Sequence, residues 1–150
     1  MNDAMEKVLA PMLGVHQWIY EKSDGRIGAS LGARPMLLLR TVGRRSGEAR
    51  TSALLYVRDG DSYAVIASKG GHPKHPGWFH NLSAQPDVEV QIGRTKIPVH
   101  ARVAEGEERE RLWARADEVN KGQYTVYQSR TDRQIPVVVL DPRPPYPKAT

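Results

Sequence analysis

The sequence predicts a mainly β fold with helical additions: about six antiparallel strands closing into a small barrel, with helices packed outside. Short apolar runs of strand length alternate with tight-turn signals between residues 36 and 103. Two stretches with helical apolar spacing flank that region, at residues 5–20 and 107–120. A last uninterrupted apolar run, Ile135–Leu140, is of the kind found at the centre of a sheet.

In the N-terminal segment, residues 1–20, Met5, Val8, Leu9, Met12, Val15 and Ile19 recur at helical spacing, and Pro11 bends or divides the helix. The glycine-rich stretch Gly25–Gly32 reads as loop. Met36–Val42 is apolar and β-compatible, and Gly43–Glu48 supplies turn chemistry before a second strand, Ser52–Arg58. Asp59-Gly60-Asp61 is a hairpin signal leading into Ser62–Ser68. Pro76 suits the first turn of a short central helix that runs through Trp78 to Ala84. Val88–Ile92 and Thr95–Val103 form another hairpin about Gly93-Arg94. In the C-terminal half, Leu112, Trp113, Ala116 and Val119 share one face of a helix. The tail, residues 142–150, carries Pro142, Pro144, Pro145 and Pro147 and reads as extended.

The chain of 150 residues has the size of one domain, expected to span residues 1–150. Cysteine is absent, which excludes disulfides, thiolate metal sites and a cysteine nucleophile and fits a reducing, cytoplasmic setting. Asp3 and Glu6 stand where a secretory signal needs a basic region. No run approaches the roughly 20 apolar residues of a spanning helix, so any membrane contact would be peripheral, through the N-terminal helix. The net charge of +5 suggests an anionic partner. Arg40, Arg44, Arg45 and Arg50 concentrate that charge in one stretch, and Lys69 and Lys74 mark a second.

Four stretches carry chemistry. In Thr41–Arg50, Gly43 and Gly47 let the backbone turn so that N–H groups can converge on an anion, and arginines add fork-shaped donors. A plain basic hairpin tip has the same residues, and no Gly-Lys-Ser/Thr makes it a nucleotide-triphosphate loop. Ala67-Ser68-Lys69-Gly70-Gly71 ends an apolar strand with a hydroxyl, an ammonium and unhindered backbone, against which a flat ring could lie. A flexible strand-end loop is the alternative. In Pro73–Leu82, Trp78 shares a helical face with Asn81 and Leu82, while His72, His75 and His80 lack the spacing of zinc motifs, so no metal is expected. Tyr124 and Tyr127 could wall a pocket with two phenols, or pack at the barrel rim. No Ser-His-Asp order and no dinucleotide glycine fingerprint following a strand occurs, which argues against hydrolase and Rossmann readings.

The order and spacing of these stretches resemble the deazaflavin-dependent nitroreductases, also called F420-dependent quinone reductases. The matching residues are Thr41-x-Gly43-Arg44-Arg45-Ser46-Gly47-x-x-Arg50, Leu54–Gly60, Ala67–Gly71, Pro73-Lys74-x-Pro76-x-Trp78, Asn81-Leu82, and Tyr127-Gln128-Ser129-x-Thr131-Asp132-Arg133 before Ile135-Pro136. The resemblance implies a split β-barrel related to flavin-binding barrels. It implies coenzyme F420, an 8-hydroxy-5-deazaflavin with a phosphodiester and a γ-linked glutamate tail, and hydride transfer to quinone-like or nitroaromatic acceptors. By that similarity Arg44, Arg45, Ser46, Gly47 and Arg50 grip the phosphate and tail, with help from Lys69. Ala67, Ser68, Lys69, Gly70 and Gly71 hold the ring, with Pro76, Trp78, Asn81 and Leu82 on the cofactor side as well. Ser68, Tyr124 and Tyr127 are the implied catalytic residues, at the reacting edge and around the acceptor.

Some nitroimidazole-reducing relatives carry tyrosine where this chain has Leu55, and another near Lys121. An FMN-dependent barrel reductase and a non-catalytic F420 carrier are the competing readings, and the oligomeric state stays open between monomer and homodimer. Nucleic acid is not an expected partner, because the strands lack interleaved stacking aromatics and the chain has a single phenylalanine.

Overall fold

In the computed structural model, which describes residues 34–144, seven strands form one sheet and three helices pack on it. The strands are β1 (Met36–Val42), β2 (Ala49–Leu55), β3 (Val57–Asp59), β4 (Ser62–Ile66), β5 (Asp87–Ile92), β6 (Thr95–Val103) and β7 (Val137–Pro142). The helices are α1 (Gly77–Ala84), α2 (Gly106–Val119) and α3 (Gln123–Ser129), and a 3₁₀ turn covers Lys69–Gly71. The expected N-terminal helix, the glycine loop at 25–32 and the tail from Pro145 lie outside the described residues. Among the described residues no helix is long and apolar enough to cross a membrane.

Every pairing is antiparallel, and the spatial order is β2-β1-β5-β6-β7-β4-β3. That order forces the sheet to curl. Six inter-strand steps of about 4.8 Å would hold the edges of a flat sheet roughly 29 Å apart. Yet the edge strands β2 and β3 are separated in sequence by Tyr56 alone, and two Cα steps reach at most about 7.6 Å. The two edges therefore meet at that end, and the sheet curls into a split barrel, with no pairing along the seam among the described residues.

Side-chain alternation divides the core in two. From β4, Tyr63 and Val65 join Leu37, Leu39, Val88, Val90 and Val99 in one cluster. Their neighbours Ala64 and Ile66 join Leu112, Ala116, Tyr124 and Ile135 in the other, where α2 and α3 cover the sheet. The last strand splits the same way, Val138 and Leu140 to the first cluster and Val137 and Val139 to the second. A strand buried on both faces has no polar position, which accounts for the unbroken apolar run.

The sequence expectation differs from this fold at three places besides the last strand, which runs over Val137–Pro142 rather than Ile135–Leu140. The predicted strand Ser52–Arg58 is two strands, because the chain leaves β1 after Leu55 and begins pairing with β4 at Val57. At the break the Tyr56 N–H bonds the Pro35 carbonyl at 3.1 Å. The strand expected to reach Ser68 ends at Ile66. Finally, α3 is a helix that the sequence did not announce. It is separated from α2 by left-handed backbone at Lys121 (φ 58°) and Gly122 (φ 80°), and Asp117 fastens its first turn by accepting the Thr125 N–H at 3.1 Å and hydroxyl at 2.6 Å.

Candidate functional site

The β1–β2 hairpin is built around two glycines. Gly43 donates its N–H to the Glu48 carbonyl and Gly47 donates to the Gly43 carbonyl, each at 2.8 Å. A Cβ on Gly43 would sit 2.7 Å from Ser46 Oγ and 3.3 Å from the Glu48 carbonyl, so a side chain there would displace the Ser46 hydroxyl and crowd the turn. Gly47 adopts φ +72°, a conformation that other residues resist. The result is a compact tip that exposes Arg44, Arg45, Ser46, Gly47 and Arg50.

Helix α1 is fastened against that tip by Asn81, which is only 6% exposed. Its Oδ1 accepts the Arg44 backbone N–H at 3.1 Å and an Arg44 guanidinium N–H at 3.3 Å. Its amide donates to the buried Thr41 hydroxyl at 3.2 Å. Between hairpin and helix lies a cleft of about 540 Å³, lined by Gly43, Arg44, Arg45, Ser46, Arg50, Thr51 and Ser52 on one side and Gly77, Trp78 and Asn81 on the other. Every charged residue in that lining is an arginine. Glu48 stands outside the lining and pairs with Arg50 at 3.4 Å.

The second element is the loop after β4. Lys69, Gly70 and Gly71 take successive left-handed conformations, at φ 45°, 62° and 81°. For Lys69 that costs about 1–2 kcal/mol, which surrounding contacts must offset. Gly71 lies so close to α3 that a Cβ would stand 2.5 Å from the Tyr127 carbonyl oxygen. From the other side Arg133 enters the loop. Its Nε donates to the His72 carbonyl at 2.8 Å, Nη1 to the Ala67 carbonyl at 3.1 Å and Nη2 to the Ser68 carbonyl at 2.6 Å. Nη1 also lies 3.1 Å from His75 Nδ1. Because arginine only donates, His75 must accept, as the neutral ring protonated on Nε2. Burial, Arg133 and His80 hold its pKa below the usual histidine value.

The expected site residues therefore fall into groups. Arg44, Arg45, Ser46, Arg50, Trp78 and Asn81 share the cleft. Ala67, Ser68, Lys69, Gly70 and Gly71 form the clamped loop, which segment 72–76 joins to α1. Pro76 is buried at the start of that helix, and Leu82 is buried in the first core cluster. Tyr124 is buried in the second cluster, its ring 6.2 Å from Trp113 and 6.3 Å from Tyr127. Burial raises its pKa, so the phenol keeps its proton. Tyr127 is half-buried beside Gly71 and under Arg130. Thr51 and Ser52 in the cleft, and Arg133 in the loop, received no role from the sequence. The available signal for Arg133 was its place two residues before the buried run of residues 135–140, where a long polar side chain must find partners.

A split β-barrel with an arginine-lined cleft, joined through segment 72–76 to a glycine loop, defines a class: coenzyme-binding barrel oxidoreductases. Residues 12–142 match the F420H(2)-dependent quinone reductase family. An F420H(2)-dependent quinone reductase of Mycobacterium tuberculosis is 48% identical over 135 residues, covering 88% of this chain and 91% of that protein. Among solved structures, an F420-H2 dependent reductase (FDR-A) is 46% identical with a TM-score of 0.66, covering 72% of this chain and 95% of that one. A structure described as a domain-swapped dimer is 40% identical with a TM-score of 0.68, covering 83% and 98%. The heme storage protein HutZ of Vibrio cholerae, 19% identical at a TM-score of 0.52 over 75% and 84%, shares the fold alone.

The chain belongs to the F420H(2)-dependent quinone reductase family. It is an F420-dependent reductase and its cofactor is coenzyme F420. The residues present fit such a group, since a cleft whose charged lining is wholly arginine suits a phosphodiester with a carboxylate tail.

Proposed function

We propose that the protein passes hydride from reduced coenzyme F420 to quinone-like acceptors, with nitroaromatics as the competing acceptor class. The observation that carries this reading is the arginine cleft joined, through segment 72–76, to the clamped glycine loop. When bound in its reduced form the coenzyme supplies a hydride, two electrons in one step.

The chain supplies binding and orientation. Arg44, Arg45 and Arg50, with Ser46 and the backbone of Gly47, hold the phosphate and glutamate tail, and Lys69 adds a cation at the loop. Ala67, Ser68, Gly70 and Gly71 present backbone to the ring, which the absence of a side chain at Gly70 lets approach closely. Trp78 offers an aromatic wall from the cleft, while Pro76, Asn81 and Leu82 set the position of α1 that carries it. Ser68 Oγ serves as a hydrogen-bonding group at the reacting edge. Tyr127 Oη faces the acceptor, and the protonated Tyr124 backs it as a fixed donor and wall.

The test is a fluorescence titration with coenzyme F420, with FMN in parallel, followed by turnover with a menadione-like quinone and a nitroaromatic. Binding of F420 alone, with faster quinone turnover, is the expected result. Binding of neither, or turnover of neither acceptor, would overturn the reading. Unchanged quinone rates in Ser68→Ala, Tyr124→Phe and Tyr127→Phe would remove the roles given to those hydroxyls.

A further inference from the structure

We infer that Arg133 is a positioning residue that fixes the strand-end loop in its coenzyme-receiving shape and turns two backbone donors toward the ring. The inference rests on the reading of that loop given above.

The guanidinium occupies the mouth of the loop. It bonds the carbonyls of Ala67 and Ser68 where the loop leaves β4, and the carbonyl of His72 where it departs toward α1. One rigid plane thus sets the spacing between the loop's two ends. All three guanidinium nitrogens are engaged, and His75 takes a further contact from Nη1. Lysine carries its donors on one atom and cannot satisfy carbonyls arrayed around a plane.

The direction of these carbonyls decides what the loop offers. Among the described residues no peptide bond is cis, and in a trans peptide the N–H points opposite to the C=O. With the Ala67 and Ser68 carbonyls turned onto Arg133, the N–H groups of Ser68 and Lys69 point away from it. A cation on each carbonyl polarises the same peptide, so those two N–H groups become stronger donors. They stand on consecutive residues, directly before Gly70, which has no side chain to block the approach. Lys69 at φ 45° would not hold this shape unaided. The Arg133 clamp on one side, and α3 against Gly71 on the other, supply the restraint.

The experiment compares wild type with Arg133→Lys, Arg133→Gln and Arg133→Ala by three readouts. Hydrogen exchange of the ligand-free proteins reports the loop, coenzyme F420 fluorescence titration reports binding, and thermal midpoints report folding. In Arg133→Lys the amides of residues 68–72 should exchange faster while those of β1, β5 and β6 do not change. Affinity for F420 should fall at least about tenfold, since the receptive loop becomes a minor population. Methylguanidinium at non-denaturing concentration should restore part of the affinity of Arg133→Ala and none of that of Arg133→Lys. If Arg133→Ala does not fold, Arg133→Lys and Arg133→Gln decide.

Unchanged loop exchange in the variants would overturn the clamp. Faster loop exchange with wild-type F420 affinity would overturn the positioning role and leave Arg133 structural. Failure of wild type itself to bind F420 would instead sink the coenzyme reading, whatever the loop does.

Discussion

Asn81 reaches from α1 to accept the backbone N–H of Arg44 at 3.1 Å, so the helix that carries Trp78 and the hairpin that carries the arginines are held by one side-chain amide. Two substitutions separate its structural and electrostatic parts. Asn81→Leu leaves the buried Thr41 hydroxyl and the Arg44 N–H without a partner, which should cost about 2 kcal/mol and lower the thermal midpoint. Asn81→Asp keeps an acceptor for Arg44, and the Thr41 hydroxyl can turn to donate. It should melt close to wild type yet bind coenzyme F420 several-fold more weakly at low salt, because a carboxylate now lines the arginine cleft. Equal binding by Asn81→Asp and wild type would show that the cleft does not read charge.

Gly71 and Gly60 both adopt positive φ, and only one of them is crowded. A Cβ at Gly60 (φ +61°) meets nothing within 4 Å, whereas at Gly71 (φ +81°) it would stand 2.5 Å from the Tyr127 carbonyl. Gly60→Ala should therefore cost only the left-handed penalty of about 1–2 kcal/mol. Gly71→Ala adds displacement of α3 and should cost at least about 3 kcal/mol. Urea midpoints of the two variants check this, and similar losses in both would mean that α3 yields to the loop without strain.

The contrast between those glycines also marks what sequence can and cannot carry. Local chemistry was legible. The hairpins at Asp59-Gly60-Asp61 and Gly93-Arg94, the proline that opens α1 and the doubly buried β7 all occur where propensity and patterning place them. The break at Tyr56 was not, because β2 and β3 form one continuous β-compatible run and part only when tertiary pairing assigns them to opposite edges. Helix α3 was hidden for a related reason. Its residues Tyr124, Thr125, Val126 and Tyr127 are poor helix formers, and the helix exists because Tyr124 is buried against Trp113 and Asp117 holds its first turn. Within the site, Arg44, Arg45, Ser46, Arg50, Trp78 and Asn81 were named from motif order and share one cleft. Arg133 lies more than sixty residues from the carbonyls it binds at Ala67 and Ser68, and no local pattern encodes that distance.

His75 gives the clamp a pH dependence whose sign is fixed by its hydrogen bond. The ring must be neutral to accept from Arg133, and burial, Arg133 and His80 all lower its pKa in the folded protein. The charged or titratable groups near it are Arg133, His80, and His72 and Lys74 of its own segment. The unfolded chain takes up the proton first as pH falls. The stability that neutral His75 contributes is therefore fully present above about pH 6.5 and is lost progressively below it. In His75→Asn the Oδ1 can replace Nδ1 as acceptor without titrating. Urea midpoints of wild type should fall more steeply than those of His75→Asn as pH drops from about 6.5. Parallel profiles would show that the His75 contact does not titrate with folding.

Glu48 lies within the arginine tip, paired with Arg50 at 3.4 Å, its side chain 70% exposed and that of Arg50 56%. Its backbone carbonyl closes the hairpin by accepting the Gly43 N–H, a bond that substitution of the side chain leaves in place. Glu48→Gln thus removes a charge without removing the turn. An exposed pair of this kind contributes about 0.2–1 kcal/mol, so the thermal midpoint should scarcely move. Binding is the more informative readout. If Arg50 grips the anionic tail of coenzyme F420, Glu48 competes with that tail for the same guanidinium. Freeing the arginine should tighten binding by about two- to threefold at low ionic strength, and the gain should vanish at high salt. Weaker binding in Glu48→Gln would mean the opposite arrangement, with Glu48 holding Arg50 in place for the ligand.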